Sequence, residues 1–154
     1  MSKMTGLSYM KKTYPSCCKT HNGKIITLQE KQSKIIFSNP GKTDNIIFKL
    51  DGCVVKDSTT RRCDFLLYDY NETEHFIELK GRSIMHAIDQ LKTSVQKFGV
   101  ENRNRRKYCF VACSGVQIPQ ISIGNYVSYF KRNFNAILAI NSSGKAHSLP
   151  SPAQ

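Results

Sequence analysis

Three residues in one short stretch carry side chains that could do chemistry together: Asp64, Glu78 and Lys80. They sit in two apolar, β-rich runs, Arg62–Tyr70 and His75–Lys80, separated by the polar residues Asn71-Glu72-Thr73-Glu74. That pattern predicts a β-hairpin. Side chains alternate between the faces of a strand, so Asp64 shares a face with Leu66 and Tyr68, and Glu78 and Lys80 share one with Phe76. A turn through Asn71–Thr73 sets Asp64 opposite Lys80 and diagonal to Glu78. Two carboxylates and one amine then converge on one side of a hairpin built from Phe, Leu, Ile and Tyr.

Carboxylates brought together in an apolar setting repel unless they are paired or hold a cation. Oxygen donors of this kind suit Mg²⁺, or Mn²⁺ in its place, which keeps several waters and is completed by substrate phosphates. A lysine two positions beyond a metal-binding glutamate is placed to orient a water and to stabilise charge on a phosphate. Together these groups suit metal-assisted hydrolysis of a phosphodiester. The rival reading of Glu78 and Lys80 is an exposed pair on an edge strand.

At Asp64 and Glu78-Leu79-Lys80 the chain resembles the PD-(D/E)XK, or restriction-endonuclease-like, nuclease superfamily. Cys63 stands where the strict pattern has proline, a departure the superfamily tolerates. Glu78-Leu79-Lys80-Gly81 running into a helix is also similar to its members, and Gln90 falls where several branches carry a glutamine. The resemblance implies that Asp64, Glu78 and the Leu79 carbonyl hold Mg²⁺ or Mn²⁺. It implies that Lys80 acts on the attacking water, with Gln90 in support. It draws attention to Glu30, since members often aim an acidic residue at the metal from a helix ahead of the sheet. A solvated Glu30 among Gln29, Lys31 and Gln32 is the plainer alternative.

The charge points to a polyanionic partner. The chain has 154 residues, with 23 Lys and Arg against 11 Asp and Glu, for a net charge of +12. Such an excess favours nucleic acid, gripped through its phosphates, with DNA preferred to RNA. The densest basic run, Arg103, Arg105, Arg106 and Lys107, is a candidate phosphate grip, with a solvated loop as its equal alternative. No apolar run approaches the roughly 20 residues of a membrane span. The amino-terminal stretch lacks the apolar core of a signal peptide, so a cytoplasmic protein is expected. Among the six cysteines no C-x-x-C spacing marks a zinc site. Cys17, Cys18 and His21 with a distant Cys53 could still supply ligands. Cys63, Cys109 and Cys113 lie in apolar runs as small core residues.

The remaining elements must position the hairpin. Residues 1–23 are mixed, with room for a short helix. Over Lys24–Phe37 two readings stay open: a helix with Ile25, Leu28, Ile35 and Ile36 on one face, or a hairpin turning at Glu30-Lys31. Asn45–Val55 reads as a strand broken at Asp51-Gly52, with Asp51 as a turn residue rather than a ligand. Ser83 is a candidate N-cap for the clearest helix, in which Ile84, Ile88, Leu91, Val95 and Phe98 recur at helical spacing and which stops near Gly99. His86 falls on its polar side. Tyr108–Cys113 reads as a buried strand, Ile121–Phe134 as a helix and Asn135–Ile140 as a strand. Residues 141–154 read as a loose tail.

The order predicts one α/β domain over 1–140, a mixed central sheet flanked by helices on its faces. The function expected is a metal-dependent DNA endonuclease of a defence, mobile-element or toxin system, dimeric if it cuts both strands, with a partner protein as one route to specificity. The alternative is an inactive nucleic-acid-binding module of the same fold.

Overall fold

The computed structural model describes residues 5–80, 83–101, 104–114 and 120–152; the side chains of Lys80 and of residues 120–122 lie outside that description, as do Arg103 and the last two residues. The chain is α/β. Among the described residues, nine strands and three helices run in the order α1 (Leu7–Thr13), β1 (Cys18–His21), β2 (Ile25–Glu30), β3 (Ser33–Ser38), β4 (Asn45–Lys49), β5 (Phe65–Tyr68), β6 (Glu74–Lys80), α2 (Ile84–Phe98), β7 (Lys107–Cys113), α3 (Gln120–Phe134), β8 (Ala136–Ser142) and β9 (Ala146–Ser148). A 3-10 turn over Pro15–Cys17 joins α1 to β1.

The main sheet has six strands in the order β1-β4-β5-β6-β7-β8. It is antiparallel from β1 to β6 and parallel from β6 to β8. The change of sense follows from the connections. Short turns join β4, β5 and β6, whereas α2 and α3 supply the crossovers that parallel neighbours need.

The helices do not flank both faces, as the sequence suggested. All of them pack on one. Met10 from α1, Ala87, Ile88, Leu91, Val95 and Phe98 from α2 and Phe130 from α3 close a core over Phe48, Leu66, Tyr68, Phe76 and Val111. The other face is covered by a small second sheet, β2-β3-β9. There Ile26, Leu28, Ile35 and Phe37 pack on Ile47, Leu67, Ile77, Leu79 and Phe110. Alternate residues of β5 and β6 thus serve two separate cores, as a sheet sandwiched between layers requires.

Several expectations hold and several fail. Ser83 caps α2 by accepting from the His86 N–H at 3.3 Å, and α2 buries the expected stripe and leaves His86 exposed. Gly99 ends it in an extended conformation, not a left-handed one. A Cβ there would come within 2.5 Å of the Val95 carbonyl and 3.0 Å of Lys107, so close packing is what demands glycine. Residues 24–37 form the hairpin β2–β3 and not a helix. The turn is closed by Lys31 at φ 52°, a left-handed conformation that few non-glycine residues adopt.

Residues 141–152 are not a tail. Strand β8 runs to Ser142, β9 adds in parallel to β3, and Leu149 is buried in the second core. The stretch looked unstructured because β9 is three weakly apolar residues whose pairing partner, β3, lies far back in the chain. Among the described residues no helix is long and apolar enough to cross a membrane.

Cys17 and Cys53 form a disulfide across 36 positions of sequence, so these two sulfurs are not zinc ligands in this state. The bond ties the entry to β1 to the turn after β4. Closing a loop of that size restricts the unfolded chain by an amount worth about 2–5 kcal/mol. Full reduction, or Cys17→Ser, should lower the unfolding free energy in urea by that much; a midpoint insensitive to reductant would mean that the two thiols do not pair.

Candidate active site

Strand β5 departs from the ladder at its start, and the departure makes the site. The ladder aligns Phe65 with Ile77 and Tyr68 with Glu74. One residue earlier the chain turns away. The Asp64 carbonyl accepts from the Leu50 N–H at 2.9 Å and from the Asp51 N–H at 3.4 Å. The Asp64 N–H donates to Ile77 O at 3.0 Å, one residue out of step with the ladder, as at a β-bulge. The Leu79 N–H therefore lacks a strand carbonyl, and the Asp64 carboxylate takes its place, with Oδ2 accepting at 2.7 Å. The N–H and carbonyl of one extended residue point to the same side of a strand. The Leu79 carbonyl thus faces the same gap.

The register differs from the expected one. Phe65 meets Ile77 and not Leu79, so Asp64 lies beside Glu78-Leu79 rather than opposite Lys80. The turn explains the shift. Asp69 Oδ1 accepts from the N–H groups of Asn71 at 2.8 Å and Thr73 at 3.1 Å, and Glu72 adopts a φ of 60°. This side-chain-capped turn absorbs Asp69 and Tyr70, which were expected in the strand.

Glu78 is 2 % exposed and Asp64 is 8 % exposed. They line a pocket of about 430 Å³ with Leu79, Gln90, Glu30 and Asp51. The pocket lies at the carboxyl ends of the parallel strands β6 and β7, beside the start of β5, where crevices of open α/β sheets commonly bind ligands. The β2–β3 turn forms one wall, with Lys31, Gln32 and Ser33. Ser33 and Ser114 close another part through an Oγ–Oγ hydrogen bond of 2.9 Å. From α2, Gln90 orients its amide so that the nitrogen donates to Glu78 Oε2 at 2.9 Å and to the His86 carbonyl at 3.1 Å. The outer acids are ion-paired: Glu30 with Lys49 at 3.5 Å and Asp51 with Arg62 at 2.9 Å.

Burial sets the charge state. Loss of solvent pushes the Asp64 carboxyl up to about 6. The charges of Glu30 and Asp51 push it the same way. The Leu79 N–H and a hydrogen bond with Glu78 oppose them. Such a carboxyl is held back from ionising by acidic neighbours, and a cation would relieve the repulsion.

Does Mg²⁺ fit? Among the described residues no three His, Cys, Asp or Glu side chains are gathered into a ready-made cage. The donors fit by chemistry. Two carboxylates and a main-chain carbonyl are hard oxygen ligands, and Mg²⁺ is commonly held by one or two carboxylates with water and substrate phosphate filling the rest. Asp64, Glu78 and Leu79 would hold it.

The residues singled out in the sequence separate into two groups. Asp64, Glu78, Leu79, Gln90 and Glu30 meet at the pocket, with Glu30 arriving on a strand instead of a helix. Lys80 ends β6, paired with Cys113. The basic run lies elsewhere, at the amino end of β7. Lys107 is 5 % exposed, and its charge faces the buried Glu74, where it offsets part of the burial that pushes that carboxyl's pKa up. It is not free to grip phosphate. Arg105 and Arg106 are exposed there, and Arg103 lies outside the described residues. Sequence reasoning missed Asp51 as a pocket residue. A meander sets the end of β4 against the start of β5, so the strand order alone makes Asp51 a neighbour of Asp64.

No family model, curated protein or solved structure matches this chain. The pocket alone carries the functional reading.

A carboxyl whose folded pKa exceeds its unfolded value binds its proton more tightly when folded. Stability from Asp64 is therefore full below pH 3.8, is lost as pH rises through about 6, and falls by up to about 3 kcal/mol in total. In EDTA, Asp64→Asn should raise the unfolding free energy by about 1–3 kcal/mol at pH 8 and by almost nothing at pH 4, read from urea titrations. A loss of stability at pH 8 would show that the ionised carboxylate supports the fold.

Proposed function

We infer that this chain is a metal-dependent nuclease, with a restriction-endonuclease-like core, that hydrolyses phosphodiester bonds of nucleic acid, DNA in preference to RNA. The observation behind this reading is the convergence of Asp64, Glu78, Leu79, Gln90 and Glu30 on one pocket from three different elements and one loop. They were singled out for this chemistry on sequence grounds alone.

When bound, Mg²⁺ or Mn²⁺ supplies Lewis-acid polarisation of the scissile phosphate and charge stabilisation at the transition state. The chain's own residues do the rest. Asp64 is anchored by the Leu79 N–H, which fixes one of its oxygens at the pocket. Gln90 holds Glu78 by donating to Oε2. Such outer partners keep a ligand oriented and typically matter 10–100-fold. In this reading Lys80 orients the attacking water, helps to deprotonate it and stabilises charge on the phosphate. Lys31, Lys49 and Arg62 surround the pocket with positive charge, which favours approach of a polyanion.

A second reading, an inactive nucleic-acid-binding module, draws on the ion pairs of Glu30 and Asp51, which leave only two carboxylates in direct contact. Labelled duplex DNA, single-stranded DNA and RNA, each with Mg²⁺, Mn²⁺ or EDTA, separate the two. The nuclease predicts cutting that needs metal, falls to background in Glu78→Gln and Lys80→Ala, and drops about 10–100-fold in Gln90→Leu. Salt-sensitive binding with no cutting in any metal would establish the binding module instead.

A further inference from the structure

A second cleft, of about 800 Å³, opens at the opposite end of β6 and β7, on the face that carries the small sheet. That size is ample for a nucleotide-sized ligand. Its floor is aromatic. His75 stacks on Tyr108, with ring centroids 5.0 Å apart and planes 12° from parallel. Phe110 continues the row and meets His147 at 4.7 Å. Ile137, a large apolar side chain that is 40 % exposed, extends the floor towards the sheet edge. Arg105 and Arg106 stand exposed at the rim.

The polar groups are arranged so that the cleft stays cationic. Asp69 is its buried acid, and it is fully engaged. One oxygen takes the Asn71 and Thr73 N–H groups and the other meets His75 Nε2 at 2.9 Å. His75 Nε2 is held at the Asp69 carboxylate, and His75 Nδ1 is buried with no hydrogen-bond partner. Arg105 is braced by the carbonyls of Asn71 and Glu72, each at 3.2 Å. A braced guanidinium beside an aromatic floor suits a flat ring with a phosphate attached.

We propose that this cleft docks an unpaired nucleotide of a nucleic-acid strand, its base on the Tyr108 side of the aromatic floor and its phosphate at Arg105 and Arg106. Stacking of bases on aromatic side chains along a cationic groove is the general mode of single-strand binding. The net charge of +12 favours a polyanion over an apolar or cationic occupant. The inference deepens the nuclease reading and rests on it for nucleic acid as the partner. It names a substrate with a single-stranded or frayed segment, bound away from the acidic pocket.

The test is made in EDTA, so that cleavage plays no part and its outcome is read separately from that of the cleavage assay. Affinity is measured by fluorescence anisotropy for a short thymidine strand, the same strand with abasic sites, and a duplex. The strand should bind more tightly than its abasic version by roughly five- to a hundredfold. Tyr108→Ala should abolish that difference and Tyr108→Phe should keep it. Arg106→Ala, at an exposed position, should weaken all strands and reduce the salt slope by roughly 0.7. Equal affinity for the abasic strand, or an unchanged affinity in both Tyr108→Ala and Arg106→Ala, would overturn the proposal. So would displacement of the strand by thymidine monophosphate at equal nucleotide concentration, which assigns the cleft to free nucleotides, or by polyglutamate as readily as by unlabelled strand, which assigns it to acidic peptides.

Discussion

The hydrogen bond from the Leu79 N–H to the Asp64 carboxylate is the constraint on which the pocket depends. It stands where a ladder hydrogen bond would otherwise be. Because the Asp64 carbonyl has gone to Leu50 and Asp51, strands β5 and β6 part, and a main-chain N–H would be left buried without an acceptor. Leaving it so would cost about 1–3 kcal/mol. A neutral asparagine would satisfy the N–H equally well. The fold needs an acceptor at this position, but it does not need a charge. The charge, disfavoured by burial and by two nearby acids, is therefore not explained by the stability of the fold, and it stands at the kind of site where local rules of stability are commonly broken.

Much of this was legible in the sequence, and what was not has identifiable physical causes. Alternation in Phe65–Tyr68 and His75–Lys80 marked the two strands, and helical spacing from Ile84 to Phe98 marked α2, because both periods persist across whole elements. The register was misread since it is decided by one side chain: Asp69 caps the turn and pulls itself and Tyr70 out of the strand. Ile25, Leu28, Ile35 and Ile36 fit a helix and a hairpin equally well by spacing, and only the pairing of β2 with β3 decides between them. Lys107 looked like one more surface cation beside Arg105 and Arg106. Its burial near Glu74 depends on a contact between segments distant in sequence. The Cys17–Cys53 bond is of the same kind, since connectivity is not encoded in spacing.

The sheet separates charge along its strands. Acids gather where β6 and β7 end, and arginines stand where these strands begin. On a molecule with so large a positive excess, the acidic pocket is a local well in an otherwise cationic surface. The surface draws in a polyanion over distances near the Debye length, about 8–10 Å in ordinary salt. The well, at much shorter range, favours a small divalent cation. A polyanion and a small divalent cation are thus favoured by one charge distribution at two different length scales.

Strand β9 lies in parallel beside β3, and the Ser143 hydroxyl accepts from the Lys34 N–H across 109 residues of chain. Pairings so remote in sequence form slowly, since the entropy of closing the loop is lost before any contact compensates it. On a ribosome, β2 and β3 (to Ser38) wait for all the chain up to Ala146 before their third strand begins. The hairpin that carries Glu30 and walls the pocket is therefore the last part of the site to be secured. A nascent chain holds its acidic residues before it can hold them in place, so the pocket's wall is complete only once synthesis has passed Ser148.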